Sequence, residues 1–497
     1  MILNEAVLGI DVGTSSVKVI AVSKEGEVLA KVSEELDMIQ LQSGYNEQQP
    51  DEWFEATKVC IRQILSNNAL NDIYIRALSL SGQMHSLVAL DSNNKPIRNA
   101  ILWNDTRSTH QCATIEQQFG NYVLSNPVLE GFTLTKLLWI KDHEPKNWNK
   151  IASFLLPKDY VRFKLTGKIN MEYSDASSTL LMDPKQKNWS KAIGSQFGIH
   201  NIYPPLVSSG DFIGYVESSL AKLLGLKDDV AVFAGGGDNA CGALGAGVIK
   251  SSDTLCSIGT SGTLLTCEEG EGKTYRHNLH YFNHVVEDKS YVMGVTLAAG
   301  DSLNWLKKYM FPDLTFNQIL SLASESTIGS EGLLFAPYLS GERTPHGDSK
   351  IRGSFIGLST LHTNADIARS VIEGITYSLY ETLVNLREKE KDITHITSIG
   401  GGAKNDFWLQ LQADIFNAKV SKLKYEEGPC MGAAMLAIVG LGWYENIEDV
   451  VNQFIVYDRT FLPNKAHHER YIKYFEIYQE VYRQTRPITA RLLELSL

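Results

Sequence analysis

Two aspartates stand where apolar runs give way to glycine. Asp11 closes the run Ala6–Ile10 in GIDVGTSSVK (9–18), and Asp238 follows Gly235-Gly236-Gly237 in VAVFAGGGDNACGALGAGVI (230–249). After Asp11, Gly13 and Thr14 offer backbone N–H groups, and Thr14, Ser15 and Ser16 offer hydroxyls. Together they form a concave nest able to hold phosphate oxygens. A carboxylate repels phosphate, so Asp11 serves such a nest only with a hard, hydrated cation between them, and Mg2+ suits both groups. An ordinary tight hairpin with a surface aspartate would carry the same residues. The spacing is that of neither a Walker A loop nor G-x-G-x-x-G, and strand alternation points Lys18 to solvent.

Asp238 opens a helix of small residues, Ala240 to Gly247, of poor intrinsic propensity. Close approach of another backbone or of a ligand explains such a composition. As a base, Asp238 would accept the proton of a hydroxyl as its oxygen attacks phosphorus. Alignment and charge stabilisation would supply most of the barrier reduction. Asn239 can orient a polyol through donor and acceptor atoms. Asp238 as a plain helix cap is the alternative.

A second turn, SIGTSG (257–262), centres on Gly259 and Thr260 and mirrors the first. The pair could be opposite jaws on a polyphosphate, or a repeat with one jaw empty. A further turn, Gly400-Gly401-Gly402-Ala403-Lys404-Asn405, leaves backbone open for adenine or for ribose and α-phosphate. A simple strand-to-helix connection fits it too. SGQMHS places Met84 and His85 at a turn edge, and ILWNDTR sets Trp103 before polar fingers, a combination that suits an uncharged polyol. His85 satisfied in a core is the bland reading. In PYLSGERTPHGD, Glu342 and Arg343 could pair and brace a cleft, or Arg343 could approach phosphate.

Elements to position these residues are legible. Residues 6–30 read as successive hairpins, 254–265 as strand, turn and strand, and 75–91 likewise. Residues 50–65 form a helix whose Trp53, Thr57, Cys60, Ile61 and Ile64 share one face. Residues 364–388 are helical, 396–420 give strand, glycine turn and helix, and 467–495 are helical with a break at Pro487. With 497 residues, 43% of them hydrophobic, 39 glycines and 14 prolines, the chain is an ordered α/β protein of at least two domains. The boundary falls near 248–253, giving domains 1–249 and 250–497 with a cleft between them.

A net charge of -11 gives no basic footprint for nucleic acid. No apolar stretch is long enough for a membrane span or a signal segment. Six cysteines without C-x-x-C spacing fit a reducing, cytoplasmic setting.

In order along residues 6–445, GIDVGTSSVK, SGQMHS, AILWNDTR, LLPKDYVRFKLTG, MEYSDASSTLLMD, AGGGDNACGALGAG, SIGTSG, FAPYLSGERTPHGD and IGGGAKNDFWLQLQADIFNAKV resemble the FGGY carbohydrate kinases, and among them the bacterial xylulokinase branch. The resemblance implies two actin-like ATPase (ribonuclease H-like) domains flanking a deep catalytic cleft. ATP would lie in the cleft with the sugar beneath its γ-phosphate. It further implies transfer to the 5-hydroxyl of D-xylulose with Asp238 as base, and Asp11 serving Mg2+ through water, with Asp238 a second water-mediated contact. Met84, His85, Trp103, Asp238 and Asn239 would line the sugar pocket. Gly13, Thr14, Ser15, Gly259 and Thr260 would approach the β- and γ-phosphates, and Gly401, Gly402 and Asn405 the nucleotide. A homodimer without an assignable interface is also implied. Glycerol kinases carry an Arg-Glu element where this chain has QMH, which argues against glycerol. Ribulose, ribitol and gluconate stand as other substrates, and an actin-like assembly protein as a different class.

Overall fold

The computed structural model describes residues 4–71, 73–270, 275–388 and 392–496. Strand β1 (Asn4–Val12) turns at Gly13 and returns antiparallel as β2 (Ser16–Ser23), which pairs with β3 (Val28–Glu35). Helix α1 (Pro50–Leu65) starts on a proline with Asp51 and Glu52 in its first turn, where fixed φ and acidic charge favour initiation. The five residues assigned to its apolar face are all buried. Strand β4 (Ile73–Gly82) lies parallel to β1. After helix α2 (Pro157–Thr166), strand β5 (Phe212–Tyr215) forms the edge, and β6 (Ala231–Gly237) lies parallel to β4 and runs directly into α3 (Asp238–Gly245).

The second sheet contains β7 (Asp253–Ile258), β8 (Gly262–Glu269), β9 (His280–Asn283), β10 (Lys289–Thr296), β11 (His395–Gly400), β12 (Lys419–Leu423) and β13 (Tyr457–Phe461). The strand orders are β5-β6-β4-β1-β2-β3 and β9-β10-β8-β7-β11-β12-β13. Both sheets share a frame of three antiparallel strands followed by two parallel ones. That frame reads β3-β2-β1-β4-β6 in one and β10-β8-β7-β11-β12 in the other. This is the duplicated actin-like plan. Helices α4 (Gly300–Tyr309), α5 (Asn364–Arg387) and α6 (Asp406–Phe416) serve the second sheet.

Helix α7 (Pro429–Gly440) follows β12 as α3 follows β6, and the two helices pack on each other across the halves. Their backbones nearly touch. A Cβ on Gly432 would lie 2.0 Å from the carbonyl oxygen of Cys241, and one on Gly245 2.5 Å from that of Gly428. Side chains are therefore barred from this seam, and the poor helix former Gly is retained in α3 for close approach.

Helix α8 (Lys465–Ser496) corrects one expectation, because it runs through Pro487 without a break. The turn is open to water, with Ile488 59% exposed, so the carbonyl that loses its amide partner stays hydrated. Strand Val88–Leu90 pairs with Ser153–Leu155 outside the main sheet. Among the described residues no helix is long and apolar enough to cross a membrane. All six cysteines are buried.

Candidate active site

Sheet register brings the acidic groups together. Asp11 on β1 pairs with Ser81 on β4, and Ser81 pairs with Gly236 on β6; in the next row Val12, Gly82 and Gly237 align. Three segments remote in sequence thus end side by side, and the cleft opens at the carboxyl ends of parallel strands, where α/β sheets place ligands.

Asp238 is the first residue of α3, and its Oδ1 accepts hydrogen bonds from Asn239 N (2.7 Å), one of the free N–H groups of the helix's first turn, and from Asn239 Nδ2 (2.9 Å). The residue is half-buried at the strand ends rather than sealed in the core. Burial and the nearby Asp11 carboxylate raise its pKa to about 7, against the lowering effect of Asn239. Burial likewise raises Asp11 to about 6, with Ser81 and the Lys18 charge opposing. Two carboxylates in one low-dielectric site resist joint ionisation, so the pair is poised to hold a proton or share a cation.

Behind the Gly235–Gly237 turn lies a buried ionic cluster. Lys158 Nζ contacts Asp159 Oδ1 (2.7 Å) and Asp175 Oδ2 (2.9 Å), and Arg162 Nη1 contacts Asp159 Oδ1 (2.8 Å). Burial alone would lower Lys158, but Asp159, Asp175 and Glu172 outweigh it and hold the ammonium charged. Gly237 N donates to Ser174 Oγ (2.8 Å), and Ser174 Oγ donates to Glu172 Oε2 (2.7 Å). The cluster fixes the backbone that carries Asp238. LPKDYVRF and MEYSD showed nothing of this, since neither stretch has a spacing that signals a partner in the other.

The Gly13-Thr14 turn is tied down by amides. Gln83 Nε2 donates to Gly13 O (3.1 Å), Gln48 Nε2 to Thr14 O (2.7 Å), and Gln83 N to Val12 O (2.9 Å). Thr14 Oγ1 donates to Gln83 Oε1 (3.3 Å) and accepts from Trp103 Nε1 (2.9 Å), so the structure places Trp103 directly on the phosphate-type turn. Gln48 was missed in the sequence, lying far from any glycine motif. Lys18 is corrected: it does not face solvent freely but pairs with Glu427 Oε2 (2.7 Å), while Glu427 Oε1 takes Lys31 Nζ (2.9 Å). The bond joins the two halves.

Met84 is buried against the same centre, its Sδ 3.6 Å from Asn239 Nδ2 and 3.5 Å from the Tyr291 hydroxyl. His85 adopts φ of 67°, and its Nδ1 lies 2.7 Å from the Ser178 carbonyl oxygen. A carbonyl only accepts, so Nδ1 carries the proton and Nε2 keeps a lone pair. Burial, with the charges of Lys136 and Arg343, lowers this histidine to about 3, against the Ser178 bond, so it is neutral. Trp103 is 37% exposed, a wall of the cleft rather than core. Glu342 and Arg343 do not form the expected side-chain pair. Glu342 Oε1 accepts from Leu297 N (3.1 Å) and Arg343 N (2.8 Å), and its Oε2 from Ser378 Oγ (3.0 Å).

The second sheet repeats the glycine turn around space. A cavity of about 270 Å³ is lined by Gly259, Thr260, Gly300, Gly401, Gly402 and Trp408, among others. Asn405 stands apart from that lining; its Oδ1 caps α6 at Phe407 N (3.0 Å) and Trp408 N (3.4 Å). Ser15 is exposed at the rim of the first turn.

Comparison with known proteins fits this arrangement. Residues 6–245 match the N-terminal domain of the FGGY family of carbohydrate kinases, and 254–441 its C-terminal domain. The chain is 56% identical to a xylulose kinase of Staphylococcus epidermidis, over 99% of this chain and all of the relative. It is 48% identical to the xylulose kinase of Bacillus subtilis, over 98% of each. The crystal structure of ligand-bound xylulose kinase from Lactobacillus acidophilus superposes with a TM-score of 0.93 at 28% identity, covering 98% of this chain and all of that one. Duplicated sheets, converging carboxylates and matches across both halves lead to one assignment: the chain belongs to the FGGY family of carbohydrate kinases.

Proposed function

We propose that the chain phosphorylates D-xylulose with ATP, giving ADP and D-xylulose 5-phosphate. The xylulose kinases of S. epidermidis and B. subtilis, aligned over nearly their whole lengths, support the substrate. The observation that carries the chemistry is the Asp238 carboxylate, raised in pKa by burial and by the Asp11 charge and oriented through one oxygen by Asn239.

In this reading the sugar lies against Met84, His85, Trp103 and Asn239 with its 5-hydroxyl on Asp238. His85 Nε2 accepts from one sugar hydroxyl, since the Ser178 carbonyl fixes the proton on Nδ1. Asp238 takes the 5-hydroxyl proton as that oxygen closes on the γ-phosphorus, and positioning supplies most of the rate. Gly259, Thr260, Gly401 and Gly402 cradle the nucleotide, and Gly13 and Thr14 face the terminal phosphates through backbone N–H groups. The Thr14 hydroxyl is already bonded to Gln83 and Trp103.

Asp11 fits an Mg2+ role: its Oδ1 is buried and has no hydrogen-bond partner. Mg2+ typically keeps several waters and is held by one or two carboxylates plus phosphate oxygens, so a single carboxylate is enough on the protein side. When bound there, Mg2+ neutralises charge on the β- and γ-oxygens. A test is ADP release with ATP against D-xylulose, D-ribulose, ribitol, gluconate and glycerol. The expected result is highest kcat/KM for D-xylulose; equal or higher values for another member would overturn the substrate.

A further inference from the structure

The loop around Arg343 is held rigidly while its guanidinium is left unspent. Glu342 N donates to Asp348 O (2.9 Å), Asp348 N to Glu342 O (2.8 Å), Gly347 N to Arg343 O (2.7 Å) and Thr344 N to Val295 O (3.0 Å). Thr344 Oγ1 donates to Asn278 O (3.1 Å) and Asn278 Nδ2 to Pro345 O (2.9 Å), tying the same loop to residue 278. The adjacent acid, Glu342, is consumed by two backbone N–H groups and Ser378. Among the described residues, the Arg343 side chain makes no hydrogen bond and no ion pair.

That guanidinium lines a cavity of about 740 Å³ between the halves, shared with Trp103, Asn104, Glu130 and Gly131 from the first. Contacts connect it to the catalytic centre in a row. Asp238 bonds Asn239, Asn239 meets Met84, and His85 follows Met84 with its ring 4.6 Å from that of Phe132. The positive charge of Arg343 is felt by His85 and by the buried His280. The second half therefore contributes one unpaired, donor-only group to a cavity walled on the other side by Trp103, whose Nε1 bonds Thr14.

Donor-only chemistry favours one partner. A guanidinium can donate to a ketone oxygen or to a hydroxyl, but the ketone oxygen is satisfied by donors alone, whereas a hydroxyl there must also find an acceptor for its own proton. We propose that Arg343 is a specificity-determining residue that donates to the C2 carbonyl oxygen of a ketose whose 5-hydroxyl rests on Asp238. The inference builds on the sugar-kinase reading above and adds to it how a ketose is told from the corresponding polyol.

The test compares wild type, Arg343→Met and Arg343→Lys with D-xylulose and with its C2-reduced forms, xylitol and D-arabitol, while nucleotide affinity and thermal melting report on folding. Loss of a charge-assisted hydrogen bond predicts a fall of about 10- to 100-fold in kcat/KM for the ketose in Arg343→Met, carried mainly by KM. The polyols should change by less than about 3-fold, so the ketose preference collapses. Arg343→Lys, which keeps the charge but not the fork, should fall between. Equal losses for ketose and polyols, as a latch between Arg343 and Glu130 would give, would overturn the proposal, and so would an unchanged ketose KM. The wild-type arm separates the two claims. No turnover of D-xylulose by wild type defeats the substrate reading itself, whereas normal turnover in both wild type and Arg343→Met defeats only the role of Arg343.

Discussion

The first hairpin turn of each sheet reads Gly-Thr-Ser, at 13–15 and at 259–261, on strands of the same order and direction. Two residues before the glycine, the first has Asp11 and the second Ser257. The first turn is packed with side-chain amides from Gln48 and Gln83 and roofed by Trp103. The second is held by backbone donors, Gly300 N to Gly259 O (2.9 Å) and Asp301 N to Thr260 O (3.0 Å); a Cβ on Gly259 would meet nothing nearer than the Ser261 oxygen at 3.8 Å, and beside it lies the 270 Å³ cavity. One frame, used twice, has been furnished differently. In the first half, side chains place charge and hydrogen bonds; in the second, their absence leaves an open cavity. Topology fixes where loops meet, and side chains decide which loop does chemistry.

Each prediction attacks one side of that contrast. Asp11→Asn should reduce kcat by about 10²- to 10³-fold, through lost charge stabilisation around the transferring group. It should also move the rate profile. Activity needs ionised Asp238, so kcat/KM of wild type rises with pH through about 7; removing the Asp11 charge lowers the Asp238 pKa and shifts that rise to lower pH. An unshifted rise would show that the two carboxylates do not interact.

Gly300→Ala strikes the second turn, because its Cβ would lie 2.2 Å from the Gly259 carbonyl oxygen. Displacing Gly259 and Thr260 should raise the KM for ATP on the order of 10-fold, with the sugar KM nearly unchanged. A rise in sugar KM alone would exchange the roles assigned to the halves. Gln83→Leu removes the amide that ties residues 13, 14, 48 and 86 together. Stranding those buried partners should cost about 1–3 kcal/mol in chemical denaturation, with less effect on nucleotide affinity than Gly300→Ala.

Much of this frame was legible in the chain. The runs around 6–30 and 254–265 carry hairpin period and turn residues, and 50–65 and 364–388 carry helical period with good starts, so local rules suffice. Asp11 and Asp238 were visible because each interrupts an apolar run next to glycine. What escaped depends on contacts between distant segments. Lys158, Asp159, Glu172 and Asp175 resemble surface charges in their own stretches and become a buried cluster only when α2 packs behind β6. Lys18 obeys strand alternation, yet the face it points to is covered by Glu427 from the other half. Glu342 and Arg343 sit side by side in sequence, but backbone N–H groups reach the carboxylate first. Pro487 breaks helices in general, and here the exposed turn tolerates it.

The claim that Asp238 is the base is tested most directly by rapid-quench measurement of phosphoryl transfer to D-xylulose in Asp238→Asn, alongside equilibrium binding of ATP. Asparagine preserves the size and the link to Asn239 but cannot take the proton. The transfer rate should fall by about 10²- to 10⁴-fold while ATP affinity stays within about 3-fold. Transfer at a near-normal rate in this variant would contradict the mechanism outright.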